Sequence, residues 1–149
     1  MKLSGRIYNV LDEKGAEIYS ITPESSVYDA IEMMAERNVG ALLVLSGKKL
    51  CGIISERDYT RKVILKGRVS KKIPVESIMT RKVNKVKADI TVEEALIVMT
   101  HKRIRHLPVV FNRKLVGVVT IGDLVKWVIS EQSATIDQLE HFITGSYPG

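Results

Sequence analysis

Gly52-Ile53-Ile54-Ser55-Glu56-Arg57-Asp58 and Gly117-Val118-Val119-Thr120-Ile121-Gly122-Asp123 share one form: glycine, two apolar residues, a hydroxyl, two variable positions and an aspartate. They lie 65 positions apart, and the same ungapped shift carries Val27-Tyr28-Asp29-Ala30-Ile31 onto Val92-Glu93-Glu94-Ala95-Leu96 and Met34 onto Met99. It also carries Lys49-Leu50-Cys51 onto Lys114-Leu115-Val116 and Val63 onto Val128. Apolar positions match almost throughout and no insertion is needed, so the chain is a duplicated unit.

Working outward from the glycine motif, each copy reads alike. A short strand (18–21; 83–86) leads to a turn with a helix-capping hydroxyl, Ser26 or Thr91. Apolar residues then recur at helical spacing: Val27, Ala30, Ile31 and Met34, and Val92, Ala95, Leu96 and Met99. A continuous apolar strand follows (41–45; 107–111), then a polar turn and a second strand (50–54; 115–119). A last helix runs over about 58–66, where Gly67 is placed to stop it, and over about 123–129. The expected class is α/β (α+β): two β-α-β-β-α repeats packed sheet to sheet about a pseudo-twofold axis, because a unit this small cannot bury a core alone. Two similar clefts along that interface are the natural place for a small ligand. The expected divisions are an N-terminal extension with a short helix (1–16), a first repeat (17–66), a linker (67–82), a second repeat (83–130) and a C-terminal amphipathic helix with tail (131–149).

The composition sets limits. With 149 residues, 45% apolar and 27% charged, the chain has the makeup of an ordinary globular domain. No apolar run approaches the ~20 residues of a membrane helix, and the first ten residues lack a secretory signal pattern. Cys51 is the one cysteine, a small apolar residue in an apolar segment, which fits a reducing, cytoplasmic setting. The net charge of +6 is concentrated between Arg57 and Lys87, where eleven basic residues face two acidic ones. That segment reads as a solvated surface or as a phosphate-attracting patch.

Two readings compete for the hydroxyl-x-x-Asp endings. A hydroxyl followed three residues later by an acid, just before a helix, resembles a capping box. Such boxes prefer the longer Glu or Gln at the acid position, however, and both copies use Asp. An ionised carboxylate accepts hydrogen bonds only, and can take both protons of a sugar diol, while Ser55 or Thr120 can donate and accept. The endings are thus candidate diol clamps, a role compatible with capping. A metal centre is not expected: His101, His106 and His141 show no metal-ligand spacing. Ser46-Gly47-Lys48-Lys49 is a basic turn rather than a phosphate loop, and no nucleophile motif occurs, so the chain is not expected to be an enzyme.

Taken with Ile104-Arg105-His106-Leu107-Pro108-Val109-Val110 and the segment Val75-Glu76-Ser77-Ile78-Met79-Thr80, the paired endings resemble a tandem pair of CBS (cystathionine β-synthase) domains, a Bateman module, over about residues 17–130. The resemblance implies a regulatory sensor that binds AMP, ADP, ATP or NAD(H), with S-adenosylmethionine ranked behind them and no catalytic cofactor. It further implies Asp58 and Asp123 on the ribose, helped by Ser55 and Thr120, and the segments Ile21-Thr22-Pro23 and Val86-Lys87-Ala88 near adenine. Arg105 and His106 match phosphate-facing positions, whereas their counterparts in the first copy, Gly40 and Ala41, carry no charge. Arg57 stands where the second copy has Gly122, so the first copy is expected to draw phosphate charge from Arg57, with Arg61 or Lys62. His106 is a candidate for titration near neutral pH. The module is expected to stand alone without a fused effector, to form a homodimer and to signal to a partner protein. The alternative is a nucleic-acid-binding protein using residues 57–87, against which the two Phe and one Trp offer few stacking platforms.

At the C-terminus, Ile136, Leu139, Phe142 and Ile143 are expected on one face of a short amphipathic helix, with residues 146–149 as a fraying tail.

Overall fold

A computed structural model of the chain describes residues 5–15 and 17–144. It is a mixed α/β structure with two three-stranded sheets, divided into two compact units. One unit is Ile18–Asn84; the other joins the N-terminal residues up to Glu17 to the chain from Lys85 onward.

In the first unit, β1 (Ser20–Ile21) runs parallel to β2 (Ala41–Ser46), which pairs antiparallel with β3 (Lys49–Ser55). Helix α2 (Val27–Arg37) connects β1 to β2. In the second unit, β4 (Val86–Lys87), α4 (Val92–Lys102), β5 (His106–Phe111) and β6 (Lys114–Thr120) repeat the order and pairing. The register repeats in detail: Ile21 pairs with Val44 and Val86 with Val109, and each central strand has an irregularity just after that residue. The first strands are shorter than the sequence indicates, with two ladder residues each.

The capping hydroxyls perform as expected, for Ser26 Oγ accepts from the Asp29 amide at 3.0 Å and Thr91 Oγ1 from the Glu94 amide at 3.0 Å. Both helices end on a residue in the left-handed region, Asn38 and Arg103. The expected apolar stripes are buried at Val27, Ala30 and Met34, and at Val92, Ala95 and Met99.

The last helices depart from expectation. In the first unit the turn begins at Glu56, ahead of Asp58, as α3 (Glu56–Tyr59), and widens into a π-helical stretch, Thr60–Ile64. Gly67, at φ +65°, then reverses the chain. The equivalent position in the second unit is Gln132, which offers no such stop. There α5 (Ile121–Thr144) runs on without a break, so the helix expected over about 123–129 and the expected C-terminal amphipathic helix are one. Leu139 is exposed on it; the side chains of Ile136, Phe142 and Ile143, and the tail 146–149, lie outside the described residues.

Each unit also receives a strap that precedes the other repeat in sequence. Helix α1 (Ile7–Lys14) belongs to the second unit: the amides of Ile7 and Tyr8 donate to the carbonyls of Ile90 and Ala88, both at 2.9 Å. In the first unit the amides of Val75 and Glu76 donate to the carbonyls of Ser25 and Pro23, at 2.7 and 3.0 Å. Arg6 bridges Thr91 as Pro74 bridges Ser26. The side chains follow suit, with Ile7, Val10 and Leu11 in one core where Val75, Ile78 and Met79 sit in the other. The segment 67–82 thus supplies core residues to the unit it follows.

Candidate functional site

The motif turns are built by the ends of β3 and β6. In the first unit the Asp58 amide donates to Ser55 Oγ at 3.2 Å, and Asp58 Oδ2 accepts from the Ser55 amide at 3.0 Å and from Ser55 Oγ at 3.1 Å. In the second, the Asp123 amide donates to Thr120 Oγ1 at 3.1 Å and Asp123 Oδ2 accepts from the Thr120 amide at 2.8 Å. Both turns are therefore capping boxes. The shorter Asp closes both, so the endings do carry the capping role that they were expected to share with a diol clamp.

The other contacts of the two acids differ. Asp58 is buried, and its Oδ1 accepts from Thr80 Oγ1 at 3.3 Å and pairs with Lys62 Nζ at 3.0 Å. Lys62 also donates to the Ile78 carbonyl at 2.8 Å. Its charge is committed inside the unit, so the expectation that Lys62 serves a phosphate in the first copy does not hold for this arrangement. Arg57 and Arg61 are exposed.

Asp123 keeps a 23% exposed side chain, and its Oδ2 pairs with Lys14 Nζ at 2.6 Å. Lys14, at the end of α1, also donates to the Val118 carbonyl at 2.7 Å. In the first unit the equivalent carbonyl, that of Ile53, accepts the Thr80 amide at 2.8 Å. Lys14 therefore stands in for Thr80, replacing a backbone amide and a hydroxyl with one ammonium. Sequence reasoning missed Lys14, because the straps repeat at an offset of 68 rather than 65 and the residues compared, Lys14 and Thr80, fall out of register even then.

His106 opens β5 opposite Thr120. Burial pushes its imidazole below the ordinary histidine range, the charges of Lys14 and Arg105 add to that, and Asp123 opposes it. The net direction favours the neutral ring and moves its titration to the acid side of the ordinary histidine value. The charges named place Asp123, Lys14, Arg105 and His106 in one electrostatic neighbourhood. Arg105 and Gly122 also line an open hollow of about 550 Å³ with Ile121, Val125, Lys126, Ile129 and Ser130.

The adenine segments sit at the start of each sheet. Ile21 and Pro23, and Val86 and Ala88, are buried, leaving Thr22 and Lys87 exposed. The carbonyls of Pro23 and Ala88 are held by the straps. No hydrogen bond joins either segment to its motif aspartate among the described residues.

The sequence profile of the CBS domain matches residues 10–64 and 75–130. This chain belongs to the CBS domain family. It is 42% identical over 131 residues to the CBS domain-containing protein CBSX3, mitochondrial, of Arabidopsis thaliana, covering 85% of this chain and 64% of that protein. The chain thus spans a little under two thirds of that relative. A solved structure of a candidate signal-transduction protein with CBS domains from Burkholderia ambifaria is 46% identical, with a TM-score of 0.83, covering 86% of this chain and 96% of that one. The CBS domain pair of protein MJ0100, solved in complex with 5′-methylthioadenosine and S-adenosyl-L-methionine, is 26% identical with a TM-score of 0.75, covering 85% of this chain and 98% of that one. CBS domain pairs are regulatory ligand-binding modules, and no helix among the described residues is long and apolar enough to cross a membrane.

Proposed function

We propose that this CBS pair is a sensor of adenine nucleotides, AMP, ADP, ATP or NAD(H), with the ribose diol donating to a motif aspartate and the phosphates meeting Arg105 and its neighbours. The observation that carries the reading is the partly exposed Asp123 carboxylate beside Lys14, Arg105 and His106, an acceptor for hydroxyls set near cations suited to a phosphate. Support comes also from the MJ0100 pair, which holds two adenosine derivatives. Adenine is assigned to the exposed edge of a sheet start, at Thr22 or at Lys87. The apolar residues Ile121, Val125 and Ile129, each more than a third exposed on α5, favour a homodimer as the assembly through which occupancy is transmitted.

The test is calorimetric titration with AMP, 2′-deoxy-AMP and inorganic phosphate. The reading expects AMP to bind about tenfold or more tightly than its 2′-deoxy form, since a lost charge-assisted hydrogen bond is worth roughly 1.5–3 kcal/mol. Equal affinity for the two removes the ribose assignment. Steeply salt-dependent binding of oligonucleotides without mononucleotide binding favours the nucleic-acid alternative. The basic segment argues little for it, because Lys62 is paired with Asp58, Arg81 donates to the Glu76 carbonyl and Lys71 lies over the Tyr28 ring.

A further inference from the structure

The two motif turns are alike in backbone and unlike in what their carboxylates have left to offer. A carboxylate has about four lone-pair positions. Asp58 fills four, with the Ser55 amide and Ser55 Oγ on Oδ2 and Thr80 Oγ1 and Lys62 Nζ on Oδ1. It is also 8% exposed. Asp123 fills two, both on Oδ2, from the Thr120 amide and Lys14 Nζ. Among the described residues nothing donates to its Oδ1.

The partners differ in kind as well. Lys62 is a residue of the same helical turn, four positions from Asp58, and is further anchored on the Ile78 carbonyl. Lys14 reaches Asp123 from a strap 109 positions away in sequence. It is the last residue of its helix, so its four-carbon side chain can swing while α1 stays seated through Ile7, Val10 and Leu11. An arriving diol that takes Oδ1 and shares Oδ2 competes with Lys14 for the carboxylate. A phosphate on the same ligand gives the released ammonium a new partner within a side chain's reach.

We propose that the second unit holds the nucleotide site of this chain, that Asp58 is a structural cap, and that Lys14 selects phosphorylated nucleosides by exchanging Asp123 for the ligand's phosphate. This rests on the nucleotide reading above. An unphosphorylated nucleoside that shares Oδ2 displaces Lys14 and leaves it without an anion. A nucleoside phosphate displaces it and pairs with it.

The experiment titrates AMP and adenosine into the full chain and into Asp123→Asn, Asp58→Asn and Lys14→Gln, with circular dichroism to check each fold. The wild type takes one AMP per chain. Asp123→Asn lowers affinity tenfold or more and leaves no second site, whereas Asp58→Asn lowers the melting temperature but keeps affinity within about threefold. Lys14→Gln narrows the preference for AMP over adenosine at least fivefold, mainly by weakening AMP. Two AMP per chain, or one still bound by Asp123→Asn, overturns the assignment of the site; an unchanged AMP-to-adenosine ratio in Lys14→Gln overturns the role of the lysine. Should Asp58→Asn fail to fold, the Asp123→Asn stoichiometry decides alone. Absence of both ligands from the wild type overturns the nucleotide reading itself and this inference with it.

Discussion

Leu11 covers Gly117 as Met79 covers Gly52, two strap residues seated on the same strand position of two different sheets. A Cβ at Gly117 would lie 2.9 Å from a Leu11 methyl carbon, and one at Gly52 would lie 2.8 Å from both Met79 Sδ and the Thr80 carbonyl oxygen. The motif glycine is required by this close approach, since both residues sit in a strand and any side chain there meets the strap. In Gly117 the obstacle is the end of a flexible side chain; in Gly52 it includes backbone.

Substituting the two glycines by alanine should therefore give unequal losses. Overpacking of this kind costs about 1–3 kcal/mol. Gly52→Ala falls at the upper end, because the Thr80 carbonyl is tied to the Ile53 amide and cannot retreat. Gly117→Ala falls at the lower end, as Leu11 rotates aside. Urea unfolding of both variants measures the difference, and equal losses would contradict the geometry.

The Asp58 network should matter to stability more than its counterpart. Asp58→Ala removes a cap and leaves Ser55, Thr80 and Lys62 short of a shared acceptor, a loss of about 2–3 kcal/mol. Asp123→Ala removes a cap and a partly exposed ion pair, about 1–2 kcal/mol. Chemical denaturation in the absence of nucleotide is the check.

Protonation of His106 supplies a pH dependence with a definite sign. Its imidazole is held below the ordinary histidine value of about 6.5, first by burial and then by Lys14 and Arg105. Between the ordinary value and the lowered one the unfolded chain binds a proton that the folded chain refuses, so stability falls as pH falls through that window and is level above it. His106→Gln should flatten this stretch of the stability curve. A slope unchanged by the substitution assigns it to other groups.

The turn between β5 and β6 places both Asn112 and Arg113 at positive φ, 50° and 64°. This is the type I′ pattern, which favours Asn-Gly. Arg113 carries the steric penalty of a side chain in the left-handed region, about 1–2 kcal/mol, while glycine adds unfolded-state freedom of about 0.4–1 kcal/mol. Arg113→Gly should stabilise the second unit by up to about 1 kcal/mol, read as a raised urea midpoint.

Much of this architecture could be read from spacing. The stripes at Val27, Ala30 and Met34, the hydroxyls of Ser26 and Thr91 and the stop at Gly67 are local signals, and local physics realises them. The uninterrupted α5 escaped because the sequence holds no glycine or proline at Gln132 or just after it, a missing signal that the reading by repeats filled with a break. The straps escaped for a different reason. Arg6-Ile7 and Pro74-Val75 share only an apolar rhythm, and nothing in a short apolar run says which sheet it will cover. With the straps went Lys14, a lysine whose significance depends wholly on where a distant helix docks. Asp58 and Asp123 were legible as a pair, but their unequal saturation depends on Thr80, Lys62 and Lys14, which no repeat alignment brings together.

The exchange of straps also orders the folding of the two units. All contacts of the Ile18–Asn84 unit close within one contiguous stretch, its strap following directly after the sheet. The other must bring Lys14 to Val118 across 104 positions before its core is sealed. Loop closure rises only slowly with length, about 0.6 kcal/mol per doubling, yet it is spent ahead of the contacts that repay it. During synthesis the first unit can mature while its successor is still being made, and the amino-terminal helix waits, its apolar stripe unclaimed, until the last strand has emerged.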